Sequence, residues 1–536
     1  MYLKRIVPLL FLGWAAAAGA QTASPNARAL SLAECIQIAL EHNLDVKIER
    51  YSPEMARYAV SLSYGAYDPE FSASASHSST LSPGGIDSQS RPYQGSETET
   101  DSFTTGLRGL LPVGMSYNLS LTTSDQHGTR PDFRPDLSLP VVRTTYLTNI
   151  NDPNDIFAVT STNYPSTILS RSPFESSFAR GAILDVRQPL LKNFWIDGTR
   201  YNIYIAKNRL KQSEMALRLR IMTTVEAVQT AYYSLIQARE NVKNQEKALE
   251  LAKRLLSENK KRVEVGALAP LDEKQAQSQV AQRQADLLAT QNNLYMQQNA
   301  LKKLMSDDFT AWNTVTVEPT DPLTANVQLF DVQESWQKGL SKRPDLLQMR
   351  LDLERQGIQL RYEKNQLFPQ LDLIGSYGWL GSGAEFTDAL GTVNRGSNPY
   401  YSYGAELRVP LGNRIARQNY KITKAERQQM LLRLKKLEQD IMVEIDNAVK
   451  QAQTAYESVK ATRDAEAYAG EALRAEEKKL ENGKSTSFFV LQLQRDLTFA
   501  RTAAIAALAD YNKSLAALAF SEATTLERNN LSVDIK

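Results

Sequence analysis

The chain repeats itself at a distance of about 300 residues. Residues 31–71 align without a gap onto 331–371, with identities at Glu34/Glu334, Gln37/Gln337, Leu40/Leu340, Asp45/Asp345, Arg50/Arg350, Glu54/Glu354 and Pro69/Pro369. The matches fall on structural punctuation. Ser31 with Glu34, and Asp331 with Glu334, have the spacing of a capping box, in which side-chain oxygens satisfy the first free amides of a helix. Pro69 and Pro369 each close a helical stretch and open an alternating one, because proline cannot continue a helix. A chain built twice from one unit is first a repeat architecture.

Residues 1–20 read as a signal peptide. Lys4 and Arg5 precede an apolar run from Ile6 to Trp14, and Ala18-Gly19-Ala20 supplies a small-residue cleavage site before Gln21. No cysteine follows that site, so no N-terminal lipid anchor is expected. The chain carries 62 basic and 60 acidic residues. Loss of Lys4 and Arg5 leaves the mature chain neutral, which gives no electrostatic reason to expect nucleic acid as a partner. The single cysteine, Cys35, sits beside Ile36 in an amphipathic stretch and reads as a packed residue. His42, His77 and His127 are far apart, and no metal-ligand spacing or cofactor motif occurs, so neither a metal nor a cofactor is expected.

No later stretch reaches the roughly 18 apolar residues of a transmembrane helix. An exported chain of this kind is either soluble outside the inner membrane or crosses the outer membrane as β-strands.

Two periodicities share the chain. Residues 201–265 contain no proline or glycine, and apolar residues fall at Ile221, Val225, Val228, Tyr232, Leu235, Val242 and Leu249. These steps of four and three, then seven, describe a coiled-coil-like seam. Residues 414–482 predict a second helix of the same kind. Both break at glycine, in Val265-Gly266-Ala267-Leu268-Ala269-Pro270 and in Asn482-Gly483-Lys484. Shorter helices follow at 271–304 and 487–519, making two helical hairpins with exposed tips. The half-length helices 31–65 and 271–304 together match 201–265 in length, and 331–366 with 487–519 match 414–482. Each pair is expected to stack end to end beside its long helix.

Between the helices the period becomes two. Tyr401, Tyr403, Ala405, Leu407 and Val409 alternate with Ser402, Gly404, Glu406 and Arg408; 370–380 and 182–187 behave alike. Strands with one apolar, aromatic-edged face and one polar face fit a transmembrane β-barrel, although each alone would also suit a soluble sheet. The expected domains are a first repeat over 21–306 with strands and a long insertion at 68–190, and a linker at 307–330. A second repeat follows over 331–519, with strands 370–380 and 400–410, and then a tail at 520–536. Two strands per repeat cannot close a barrel alone, so the chain must oligomerise.

This order of elements resembles the TolC family of outer-membrane efflux proteins. The resemblance is carried by the duplicated helix–strand–strand–helix unit and by Asn43-Leu44-Asp45 and Arg343-Pro344-Asp345 at the entry helices. Gln188-Pro189-Leu190 and Val409-Pro410-Leu411 at the strand exits add to it, as do Val265-Gly266 with Asp272 and Gln275-Ala276, and Tyr511-Asn512 with Leu515-Ala516-Ala517-Leu518. It implies a mainly α fold with transmembrane β: a homotrimer whose twelve-stranded barrel in outer-membrane lipid continues into a twelve-helix periplasmic tunnel. It also implies a periplasmic adaptor protein, coupled to an inner-membrane pump or ABC transporter. The tips Val265, Gly266, Ala267, Leu268, Asp272, Asn482, Gly483 and Lys484 would dock the adaptor. Where relatives carry a pair of aspartates at the periplasmic gate, this register holds Phe489 and Gln492. A hydrophobic constriction at Phe488 or Phe489 is therefore one expectation, and simple helix packing by the two rings is the other.

Asp185, Arg187, Glu406 and Arg408 are expected in the barrel lumen, tuning ion preference or pairing across strands. Within the insertion, Phe103 to Leu111 and Met115 to Leu121 alternate on either side of Pro112-Val113-Gly114. That hairpin either extends the strands beyond the membrane or widens the barrel to eighteen strands; extension is the expectation. No GxSxG, P-loop or acid–base cluster points to an enzyme. A secreted periplasmic coiled-coil adaptor or tether without a membrane barrel is the rival reading, and it leaves the duplicated aromatic strands unexplained.

Overall fold

A computed structural model describes residues 27–86, 90, 92–135, 140–149, 152–163, 167–266 and 268–531. The signal peptide and Ala267 lie outside them. The chain runs β1 (Ala27–Leu30), α1 (Leu32–His42), α2 (Leu44–Tyr64), β2 (Glu70–Leu81), β3 (Gly85–Ile86), β4 (Pro92–Tyr93), β5 (Glu97–Leu110), β6 (Ser116–Pro135), β7 (Val141–Asn149), β8 (Asp152–Asn163) and β9 (Thr167–Pro189). There follow α3 (Gly198–Glu264), α4 (Pro270–Met305), α5 (Phe309–Trp312), β10 (Thr316–Pro319), α6 (Val332–Lys342), α7 (Pro344–Gln366) and β11 (Gln370–Gly383). The last are α8 (Phe386–Asn394), β12 (Pro399–Arg408), α9 (Arg414–Glu481), α10 (Ser487–Ser521) and α11 (Thr525–Arg528). Two compact units form. One takes Met1–Arg57, Arg209–Leu353 and Gln429–Lys536, the other Tyr58–Asn208 and Glu354–Gln428.

In the helical unit, all seven seam residues of α3 are buried. The five from Ile221 to Leu235 meet Cys35, Ile36, Ala39 and Val46 on the entry helices and Leu301 and Met305 on α4, while Val242 and Leu249 pack with Leu287 of α4. Burial drives the Cys35 thiol up to about 12, consistent with a packed residue. Ser31 forms the full capping box with Glu34, whereas Asp331 accepts from the amides of Gln333 and Glu334 without the reciprocal arm.

The entry helix expected over 31–65 is broken at Asn43, and its copy is broken at Arg343. Both residues are extended, with φ/ψ of −61/124° and −62/123°. Arg343 precedes proline, which disfavours the helical region. The Asn43 carboxamide donates to the Leu304 carbonyl at the end of α4 (2.9 Å), and its oxygen accepts from the Val46 amide (3.2 Å). Arg343 donates to the Ser521 carbonyl at the end of α10 (3.4 Å) and pairs with Asp345 (2.8 Å) and Glu444 (2.9 Å). Arg50 and Arg350 then repeat one contact, each donating to a carbonyl ten residues back, of Leu40 and Leu340. Each half-length helix therefore ends on the break of the entry helix of its own repeat.

The linker 307–330 is folded. β10 pairs in parallel with β1, and the Asp321 carboxylate accepts from the Leu32 amide (2.7 Å) and the Tyr232 hydroxyl (3.0 Å). Tyr511 and Asn512 hold the carbonyls of Asn326 and Thr324. The stretch expected as a tail also folds over its described part: α10 runs to Ser521, and Ala523 and Leu526 enter the core around Tyr232.

In the other unit, six antiparallel strands form one sheet in the order β12-β11-β9-β6-β5-β2. This corrects the expectation of four strands per chain, since the hairpin 103–121, expected to extend the strands beyond the membrane, belongs to the same sheet. β5 and β6 insert between β2 and β9, in register from Phe71 to Leu107 to Leu119 to Leu184, with one bulge on the β6–β9 ladder between Ser120 and Thr122. Alternation sets which face a residue takes but not which strand becomes its neighbour, so the sequence alone could not choose. The insertion also lengthens strands: β6 and β9 stay paired to Pro135 and Thr167, beyond the end of β5 at Glu97. β7 and β8 make a separate hairpin.

Candidate conduction surface and helical tips

Antiparallel register assigns every strand residue to one of two faces. One rung across the sheet reads Phe71, Leu107, Leu119, Leu184, Tyr377, Tyr401. All six side chains are exposed, Phe71 at 71% and Tyr401 at 70%. A neighbouring rung, on the opposite face, reads Glu70, Arg108, Asn118, Asp185, Ser376, Ser402. A bare apolar rung opposite a polar one is the pattern that lipid outside and water inside require.

The polar face carries the four residues expected in a lumen and joins three of them. Arg187 donates to Glu406 (2.6 Å) and to Asp372 (2.8 Å), and Arg408 donates to the other oxygen of Glu406 (2.7 Å). Asp185 accepts instead from the Ser376 hydroxyl (2.5 Å). Glu70 and Arg108 add a bidentate pair on the same face. Sequence reading missed Asp372, Glu70 and Arg108. Asp372 was visible as a polar strand position, but only the β9–β11–β12 register makes it a partner of Arg187.

At the other candidate site the two helical tips meet, although more than 200 residues separate them. Gly266 and Gly483 adopt left-handed φ of +77° and +69°. The Lys484 amide closes back on the Lys479 carbonyl (2.8 Å), as expected of a glycine-terminated helix. Pro270 starts α4, and the Asp272 carboxylate accepts from the Ala269 amide (3.3 Å), so Asp272 has a structural task. Arg262 on α3 donates to the Leu480 carbonyl (3.4 Å), and Ser487 donates to Asn259 (3.1 Å). Leu255, Leu473, Leu480, Val490 and Leu497 form the cluster beneath. Lys479 and then Ser485, both bonded to Glu476, hold its carboxyl below the usual range. Asn259 and Arg262 gave no sequence signal.

Val265 is 78% exposed, and Gly266, Asn482, Gly483 and Lys484 are exposed with it, while Leu268 and Asp272 are half-buried. Phe488 and Phe489 stack edge-to-face at 5.7 Å and stay 57% and 52% exposed, with Gln492 exposed beside them. Within one chain Ser487 and Val490 do the packing, not the two rings.

Residues 168–306 and 336–522, well over half of the chain, match the outer membrane efflux protein family. The chain belongs to that family. The matched segments begin at β9 and leave out β2, β5 and β6. Among solved structures, the fold is similar to the outer membrane channel CmeC of Campylobacter jejuni (15% identity, 99% of each chain, TM-score 0.61). It is also similar to the outer membrane protein VceC of Vibrio cholerae (15%, 92% of this chain and 95% of that one, TM-score 0.61). A third is the open state of the MtrE outer membrane channel of Neisseria gonorrhoeae (16%, 94% and 91%, TM-score 0.60). No curated protein matches the chain. As an outer membrane efflux protein the chain is an outer-membrane duct, and the tether reading is set aside. Among the described residues no helix is long and apolar enough to cross a membrane, and no cluster of metal-ligating side chains occurs.

Proposed function

We propose that the chain forms a homotrimeric exit duct that passively conducts substrates across the outer membrane, fed through a periplasmic adaptor by an inner-membrane pump or ABC transporter. The observation that carries this reading is the pair of opposite rungs, one wholly apolar and bare, the other wholly polar. Asp185, Arg187, Glu406 and Arg408 line the water-filled side in this reading, and outer-membrane lipid covers the other. The exposed Val265, Gly266, Asn482, Gly483 and Lys484, with the half-buried Leu268 and Asp272, offer the adaptor a surface. Phe488 and Phe489, unpacked within the chain, serve as a hydrophobic constriction. Energy comes from the inner-membrane partner, so no catalytic group is needed here.

Purified protein inserted into a planar lipid bilayer tests the duct. Discrete conductance steps are expected. A protein that leaves bilayers sealed, or that fractionates as soluble without detergent, would sink the proposal.

A further inference from the structure

Among the described residues the sheet has two open edges. Among those residues β2 pairs with β5 alone and β12 with β11 alone, and Pro399 and Arg408 stand only at the two ends of β12. Every residue of β2 from Glu70 to Leu81 is exposed, and the strand contains no proline, lysine or arginine to discourage pairing. An unpaired edge cannot persist in lipid, where no water satisfies the backbone. The two edges of one chain stand at opposite ends of the sheet, so the partner that fits is another copy of the same chain.

Strands and helices do not match in number. At one end of the sheet, α2 leads into β2, β9 leads to α3, α7 leads into β11 and β12 leads to α9. Four strands thus carry a helix. The other two, β5 and β6, are joined at that end by the turn Leu111–Met115. The turn closes with Leu111 donating to Met115 and Gly114 donating to Leu111, both at 2.8 Å. Arg200, at the start of α3 and paired with Asp197, reaches the Val113 carbonyl (3.4 Å), and Gln188 reaches it as well (3.4 Å). The hairpin therefore spans the sheet down to its helix-bearing end rather than standing above it.

We propose that three copies close an eighteen-stranded barrel, the β2 edge of each pairing with the β12 edge of the next, above only twelve helices. This rests on the trimeric duct proposed above. With strands about 4.8 Å apart and tilted about 40°, a ring of eighteen has a radius of about 18 Å, against about 12 Å for twelve strands. The added wall does not refill that space. Its polar face carries Arg108 and Asn118 at the helix-bearing end and then the small hydroxyl side chains Ser102, Thr104, Ser120 and Thr122. The membrane stage is then wider than a twelve-stranded ring would be and lined over most of the added part by neutral hydroxyls. It suits bulky polar cargo, and selection by size must occur among the helices.

Single-particle electron microscopy of the wild-type protein in lipid nanodiscs decides the matter by strand count. A threefold particle with eighteen strands and a wall radius near 18 Å is the expected result. A threefold particle with twelve strands, and Glu97–Pro135 outside the ring, overturns this inference and leaves the duct intact. A twofold twelve-stranded ring, or no closed barrel, overturns the inference and the trimeric duct together.

Discussion

Asn43 and Arg343 occupy the same place in the two repeats and solve one problem with different chemistry. Each breaks an entry helix and satisfies the last carbonyls of a second helix. Arg343 is the more exposed to loss, because it is nearly buried and answers two carboxylates. Arg343→Ala should lower stability by about 3 kcal/mol, the low end for breaking a buried ion pair since Glu444 is partly solvated. Chemical denaturation of the detergent-solubilised protein measures it, and a loss below about 1 kcal/mol would contradict the role assigned. Glu226 faces the same charge group from α3. Burial first, and then the nearby Glu444, raise its pKa above 4.5. Its folded form prefers the proton, so its favourable contribution is complete below pH 4.5 and lost as pH rises through the elevated value. Glu226→Gln should therefore raise the thermal midpoint at pH 7 and give no advantage at pH 4. Equal shifts at both pH values would refute the assignment. The repeat identities marked Arg50, Arg350 and the caps in advance. The partners of Arg343 could not be read, since Glu444 is about 100 residues away.

Elements were legible where local chemistry ends them. Gly266, Gly483 and Pro270 stop and start the helices where their backbone preferences dictate, and the α3 seam is buried at every expected position. What sequence could not decide was which hairpin enters the sheet, because β5 and β6 alternate as well as any strand around them. The exposed aromatic pair belongs to this scale, since its function depends on where α10 begins. If Phe488 and Phe489 constrict the duct, replacing both with serine should raise single-channel conductance or open probability several-fold while leaving the thermal midpoint almost unchanged. Unchanged conductance with a lowered midpoint would make them packing residues between chains.

At the scale of the whole molecule, the bare rung from Phe71 to Tyr401 and the two free edges leave one chain incomplete. Coupled folding and assembly then make stability depend on protomer concentration. Dilution should lower the thermal midpoint, and dissociation should coincide with loss of β-structure by circular dichroism. A monomer that keeps its sheet after dissociating would mean that lipid or detergent, not neighbouring copies, covers the edges.

The sequence by itself determined the repeat, the long helices with their glycine tips, and strands with one face for lipid and one for water. Each is set by spacing along a few turns or residues, where periodicity and backbone preference act locally. Only the tertiary structure decided that six strands share one sheet, that Arg187 meets Asp372 and Glu406, and that Asn259 and Arg262 lock the two tips together. Those contacts join residues far apart in the chain, and strand order and side-chain partners follow from register and packing, which no local pattern encodes.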